Sequence, residues 1–172
     1  MAAPGYTYSF LDVVCSLNGP SGIISLGAGA AIAEEGIDIE PSVDANHMDV
    51  GADGSSMHSL SANKSATATV RLLRASVVNY QLQQMYNIQR GSGLLWGQNN
   101  LSVGNPVSGD KITGAQVAFR RQPSIPYKVQ GGFLIWTFDI GLLDTTLGGS
   151  LLSQLLGAVS AAGNLVSAIP QG

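Results

Sequence analysis

The sequence predicts a mainly β protein, an antiparallel β-sandwich or barrel with one α-helix packed on it over about residues 77–90. Three observations carry that expectation. Roughly seven or eight short runs either alternate apolar and polar residues or concentrate aromatic and β-branched types. Turn residues punctuate them closely, with 22 Gly and 7 Pro in 172 residues. Within the main body, a single segment repeats apolar residues at helical spacing.

Taken in order, residues 6–17 (YTYSFLDVVCSL) read as a strand that stops at Asn18-Gly19-Pro20. Ile23 to Leu26 reads as its hairpin partner. The Gly- and Ala-rich stretch 27–36 reads as a loop leading into a strand. From Gly36 to Glu40 the alternation is strict, with Ile37 and Ile39 on one face, Asp38 and Glu40 on the other, and Pro41 at the end. Residues 65–73 (SATATVRLL) alternate again. Ser76 suits a helix N-cap, and Val78, Leu82, Met85, Tyr86 and Gln89 form a stripe that Gly91-Ser92-Gly93 ends. Leu101 to Val103 and Asp110 to Phe119 are further strands across turns at Asn105-Pro106 and Ser108-Gly109. After a Pro- and Gly-bearing loop over 120–132, residues 133–140 (FLIWTFDI) make the strongest strand in the chain.

Two segments stand apart from this pattern. Residues 41–63 form a long excursion rich in Pro, Asp, Asn, Gly and Ser, through which Met48, Val50, Met57 and Leu60 are spaced. An excursion of this length in a compact domain is usually functional, here a protruding hairpin or loop that makes contacts, or a segment that orders only when a partner arrives. The main domain is expected over 1–144. Residues 145–172 carry no charge and space Leu, Val and Ile as an amphipathic helix would, an extension expected to pack on its own domain or on a neighbour.

Composition favours assembly over chemistry. Only 11% of residues are charged, against roughly 25% in a typical soluble domain. A surface so poor in charge suits a protein covered by its neighbours. The net charge of −3 conceals a split. The eight acids before Lys64 (Asp12, Glu34, Glu35, Asp38, Glu40, Asp44, Asp49, Asp53) have no Lys or Arg among them. From Lys64 onward eight bases face three acids, so the halves carry −8 and +8 − 3 = +5. Placed on different faces, the halves would drive head-to-tail association; interleaved in one sheet, they would pair internally.

Candidate chemistry is sparse. His47 and His58 lie near Asp44, Asp49 and Asp53 without a recognised metal-ligand spacing, so no metal and no cofactor are expected. The single cysteine, Cys15, sits mid-strand as a small apolar residue rather than a nucleophile, and it excludes an internal disulfide. Glu34 and Glu35 are adjacent and would point to opposite faces of a strand, a poor acid–base pair. Gly27-Ala28-Gly29 lacks the strand–turn–helix setting of a nucleotide loop. Arg71, Arg74, Arg120, Arg121 and Lys128 could meet phosphates, but a net acidic chain without basic–aromatic interleaving makes a weak nucleic-acid binder. No window reaches the about 18 apolar residues of a membrane span, and no secretory signal opens the sequence. No active site is expected.

Collinear stretches bring a family into view. They are Asp12-Val13-Val14-Cys15 followed by Asn18-Gly19-Pro20; Ala33-Glu34-Glu35-Gly36-Ile37; Asn46 to Met48; and Gly51-Ala52-Asp53-Gly54 leading to Met57-His58-Ser59-Leu60. Then follow Thr69 to Leu73, the helix through Leu82 and Tyr86-Asn87, Trp96-Gly97, Ala118-Phe119 and Trp136 to Asp139. In these the chain resembles the tail tube proteins of contractile-tailed bacteriophages. The resemblance implies six-copy rings stacked into a hollow tube inside a contractile sheath, with partners in the sheath, the baseplate and the tail terminator. The tape measure protein and DNA would pass through the bore. It also implies a virion component assembled in the host cytoplasm. Related tubes in type VI secretion and in phage-derived bacteriocins supply an alternative, a secreted tube. On this reading the 41–63 excursion reaches the next ring, with Asp44, His47, Met48, Asp49, Asp53, Met57 and His58 as contact candidates. Asp38 and Glu40 are the candidates to face the lumen, where acids would repel phosphates.

Overall fold

Alternation of buried and exposed side chains becomes strand pairing across most of the chain. The computed structural model describes residues 8–148, with the side chains of residues 33–35 left aside. The helix expected within 145–172 therefore falls outside the described residues. The strands are β1 (Val14–Gly19), β2 (Gly22–Ser25), β3 (Ile32–Pro41), β4 (Asn46–Val50), β5 (Ser56–Leu60), β6 (Ala66–Leu73), β7 (Asn99–Asn105), β8 (Asp110–Arg121) and β9 (Phe133–Thr146). The helix, α1, spans Val78–Arg90.

Seven strands form one antiparallel sheet in the order β2-β1-β7-β8-β9-β6-β3, and β4 pairs with β5 as a separate hairpin. Mainly β, antiparallel and with one packed helix, the fold is the expected class. The sheet does not close into a barrel: β2 and β3 are its two edges among the described residues. Six strand spacings of about 4.8 Å make a sheet nearly 30 Å wide, too wide for one helix about 10 Å across to cover. Yet the buried residues of both halves form a single cluster with α1, from Cys15 and Leu101 to Val70 and Trp136. The sheet therefore curls over its core and leaves the seam open.

β6 shows the rule most clearly. Ala66, Ala68, Val70 and Leu72 are buried, while Thr67, Thr69 and Arg71 point to the opposite face. The helix buries the predicted stripe of Val78, Leu82, Met85, Tyr86 and Gln89. Ser76 serves its start, accepting the Val78 N–H at 3.2 Å and donating to the Ala30 carbonyl at 2.6 Å. Phe119 lies at the centre of the core, with ring centroids of Tyr86, Trp96, Trp136 and Phe138 within 5.0–6.5 Å.

Three boundaries differ from expectation. Residues 10–12 form a short 3₁₀ turn, not strand, because the Ser9 hydroxyl accepts the Leu11 N–H and turns the chain before β1. β3 begins at Ile32, upstream of Gly36; there a bulge, with Gly36 at φ +64°, absorbs the register shift against β6. β9 runs past Asp144, since Thr145 and Thr146 still pair with Ile112 and Lys111 of β8.

One polar pair lies wholly inside. Gln89 and Asn99 exchange two amide hydrogen bonds of 2.7 and 2.8 Å, and Asn99 also donates to the Val117 carbonyl at 3.0 Å. Gly19 makes room for them, because a Cβ there would sit 1.9 Å from Asn99 Oδ1. Asn99→Ala strands the Gln89 amide and the Val117 carbonyl away from water, at about 1–3 kcal/mol for each group left unpaired. The expected result is a lower denaturant midpoint with an unchanged slope, and Gly19→Ala should reproduce it by displacing the same amide.

Candidate assembly surfaces

Between Pro41 of β3 and Ala66 of β6 the chain leaves the sheet and forms an arm. Every residue of β4 and β5 is exposed. The register pairs Asn46 with Leu60, Met48 with His58 and Val50 with Ser56, so these six side chains share one face. His47, Ser59, Asp49 and Met57 share the other, where His47 Nε2 lies 3.3 Å from Asp49 Oδ1. Met48 and Val50 are more than half exposed and Leu60 is 87% exposed. A lone two-stranded hairpin is marginal in water, and one that presents three large apolar side chains on a single face is shaped to be covered.

The tip of the arm is built by Asp53. Its Oδ1 accepts the Ser55 N–H at 3.0 Å and the Ser55 hydroxyl at 2.6 Å, while Gly54 takes φ +83°. These bonds from Ser55 hold the carboxyl below its ordinary value. Because the folded value is the lower one, the bonds support the turn fully above the ordinary carboxylate range and are lost as pH falls through the depressed value. The protection of the Ser55 amide, its exchange rate taken relative to the intrinsic rate at each pH, is therefore expected to fall on acidification, and Asp53→Ala is expected to lower it at neutral pH.

The predicted contact residues Asp44, His47, Met48, Asp49, Asp53, Met57 and His58 all lie exposed on this arm. Their roles differ: Asp53 shapes the turn, Asp49 pairs with His47, and Met48 joins the apolar face. Sequence reasoning left Val50 and Leu60 out of that set. The period-two spacing of residues 46, 48 and 50 against 56, 58 and 60 is the signal that places them beside Met48.

Asp38 and Glu40 point away from the core, next to Thr69 and Thr67 of β6. They share that solvent face with bases. Arg120 reaches across it, donating from Nε to Asp139 Oδ1 at 2.8 Å and from Nη2 to Thr67 Oγ1 at 2.8 Å. The bond to Asp139, with its charge, raises the guanidinium above its ordinary pKa. The acids of β3 are thus interleaved with bases. The acids of the arm are not: Asp44, Asp49 and Asp53 form no ion pair with a Lys or Arg among the described residues.

The opposite end of the sheet is basic. There β6 ends at Leu73, β8 ends at Arg121, and the 122–132 loop returns to β9 at Phe133. Arg74 pins this loop by donating to the Pro126 carbonyl and by lying 4.4 Å over the Tyr127 ring. Beneath it runs a groove of about 430 Å³ lined by Arg121, Gln122, Pro123, Phe133, Ile135 and Thr137.

Cys15 is fully buried, and burial pushes its thiol up to about 12. His47 and His58 occupy neighbouring cross-strand pairs, so their rings lie on opposite faces of the arm and cannot share an ion. No group of three His, Cys, Asp or Glu side chains suited to a metal occurs among the described residues.

The family model described as the bacteriophage PhiTE tail tube protein matches residues 6–148. The chain belongs to this tail tube family. No curated protein matches it in sequence. Among solved structures, this tube-family chain is similar to one in the sheath–tube complex of an extracellular contractile injection system, PVC, in the extended state. The TM-score is 0.55 at 8% identity, covering 84% of this chain and 94% of that one. It is similar also to a chain of the anti-feeding prophage tube-terminating cap, with TM-score 0.50, 8% identity and 86% and 95% covered. A third likeness is to the PVC sheath/tube terminator, with TM-score 0.50, 13% identity and 84% and 99% covered. At such identities the likeness is one of fold. No helix among the described residues of the tail tube protein is long and apolar enough to cross a membrane.

Proposed function

We propose that this protein is the repeating subunit of the inner tube of a contractile phage tail, with a structural and not a catalytic role. Six copies form a ring, rings stack head to tail, and the tape measure protein and then the genome occupy the bore. The fully exposed arm carries the proposal, because none of the described residues covers its apolar face and a neighbouring copy would. Membership of the tail tube family supports that molecule being a second copy. Unpaired strand edges at β2 and β3 offer a means of joining neighbours within a ring. The sheath, baseplate and tail terminator are the further partners, supported by folds shared with chains of a sheath–tube complex, a tube cap and a tube terminator. Asp38 and Glu40 are the lumen charges of this proposal, placed where a passing phosphate backbone would be repelled. Assembly belongs to the host cytoplasm and the finished tube to the virion.

Negative-stain microscopy of the purified protein tests the reading. Rings or tubes with a central bore are expected, and a homogeneous monomer at high concentration would overturn it. Converting Asp44, Asp49 and Asp53 to Asn is expected to slow tube elongation and flatten its dependence on salt. Light scattering against ionic strength measures both effects. The fold shared with a chain of an extracellular contractile injection system favours a second reading, a secreted tube of a type VI secretion or phage-derived bacteriocin machine. Capsid and terminase genes beside this one would decide for the phage.

A further inference from the structure

Helix α1 carries a second stripe that the core does not use. Val77, Gln81, Gln84 and Ile88 recur at helical spacing along it, all exposed and all uncharged. The last three line one side of a cleft of about 200 Å³ between α1 and β2, with Ser21 on the far side and buried Ile24 and Met85 beneath. No charged residue among those described lines it. One of its groups is unsatisfied: the Ser21 hydroxyl oxygen is buried and has no hydrogen-bond partner among the described residues. A buried hydroxyl left unpaired is costly, so the cleft suits an occupant that brings a polar atom along with apolar ones.

The way β9 ends points to that occupant. Its last residue, Thr146, pairs with Lys111 of β8, and the Gly148 N–H then donates to Asp110 Oδ1 at 2.8 Å. The chain is thus delivered on the side of β9 that leads to β7, β1 and β2. From Asp110 the cleft lies three strand spacings across and four to six residue steps along β1, roughly 20–25 Å away. Residues 149–172 hold no charge, and Leu151, Leu155, Val159, Ala162, Val166 and Ile169 fall on one stripe at helical spacing. Read as a helix, Leu151 to Ile169 is roughly 28 Å long, enough to bring Val159, Ala162 and Val166 level with the cleft of their own copy. Gln154 and Ser167, at the margins of the stripe, supply the polar atoms.

The two larger cavities fit this segment less well. The groove beside Phe133 lies at the other end of β9, roughly 43 Å from Thr146 and beyond the helix's reach. The cleft of about 510 Å³ beside Leu142 is nearer, but Lys64 and Asp144 flank it, charges that an uncharged helix would shield from water and could not pair. We propose that the uncharged extension, residues 149–172, folds back as a helix along the β2 side of α1 and fills the cleft in its own copy. A partner approaching this side of the protein then meets the polar face of the extension, Ser153, Ser160 and Asn164, in place of Val77 and Ile88. The proposal concerns one copy and stands apart from the tube reading.

Thiol labelling of the full-length chain tests the seat, since Cys15, the only native cysteine, is fully buried. Adding V159D and V166D to an I88C chain should release the extension and raise the labelling rate of that thiol by about tenfold. An L94C thiol, outside the cleft, should label equally with either extension. Mild oxidation then locates the occupant. I88C combined in turn with V159C, A162C or V166C is expected to give, for at least one pair, a disulfide-linked monomer that runs ahead of the reduced chain on a denaturing gel. L142C with the same three positions should not. Equal I88C labelling with and without the aspartates, no cross-link through I88C, or cross-links through L142C would overturn the proposal. Cross-links through I88C that appear only in multimers would also overturn it, giving the cleft to a neighbour's extension. None of these outcomes bears on the tube reading, which the presence or absence of rings and tubes decides.

Discussion

Phe119→Ala is expected to cost about 3–5 kcal/mol of unfolding free energy, the largest effect foreseen for one side chain. The ring is 2% exposed and touches four aromatic neighbours drawn from α1, the segment after it, and β9. Removing it forfeits the hydrophobic transfer energy of the ring and also opens a cavity that the surrounding strands, locked by their ladders, cannot collapse to fill. Edge-to-face contacts contribute a further share, since such aromatic pairs add about 0.5–1.5 kcal/mol beyond burial. Against a total stability of about 5–15 kcal/mol, the variant would be marginal at ambient temperature. Urea unfolding followed by tryptophan fluorescence measures this directly, because Trp96 and Trp136 both border Phe119. A loss below about 1 kcal/mol would mean that the ring is not the keystone the geometry makes it.

The second large effect concerns assembly and leaves the fold alone. Changing Met48, Val50 and Leu60 together to Ser is expected to abolish stacking while keeping the monomer's thermal midpoint. All three stand on one face of an arm that adds nothing to the core, and exposed substitutions usually change stability by less than about 0.5 kcal/mol. Burying them against another copy contributes roughly 4–9 kcal/mol per contact, so losing that burial weakens each joint by about a thousandfold or more. Sedimentation separates the two quantities, with unfolding scanned on the same samples. Normal tubes from the triple variant would show that the arm's apolar face is not what joins copies.

The strands and helix were legible wherever one face meets a core. In β6 and the first half of β9 burial alternates without a break, and the stripe of α1 is the one predicted from spacing. The start of β1 was misread because aromatic content suggested strand while one local hydrogen bond from Leu11 to Ser9 turned the chain. The upstream half of β3 was hidden by its small residues, which carry no period of two. Closure of the sheet was not legible, because the same alternating pattern serves a barrel, a sandwich and a curled open sheet. For the site, composition pointed to the arm, and pairing register then separated Asp53, which builds the turn, from Val50 and Leu60, which present surface. The groove was invisible in sequence: Arg121, Phe133 and Ile135 are joined only by the pairing of β8 with β9 and by the Arg74 clasp on the loop.

The open seam between β2 and β3 has a consequence that belongs to counting. Along the direction of its ladders each copy has two free valences, one at either edge among the described residues. Joining a second copy edge to edge consumes one from each partner and leaves two. A row of any length still has two, so no open row is better satisfied at its ends than a single copy. Only a row that returns to its first member has none. If copies join by these edges, as proposed, a row stops growing sideways only by closing, and closure would set the girth of the assembly.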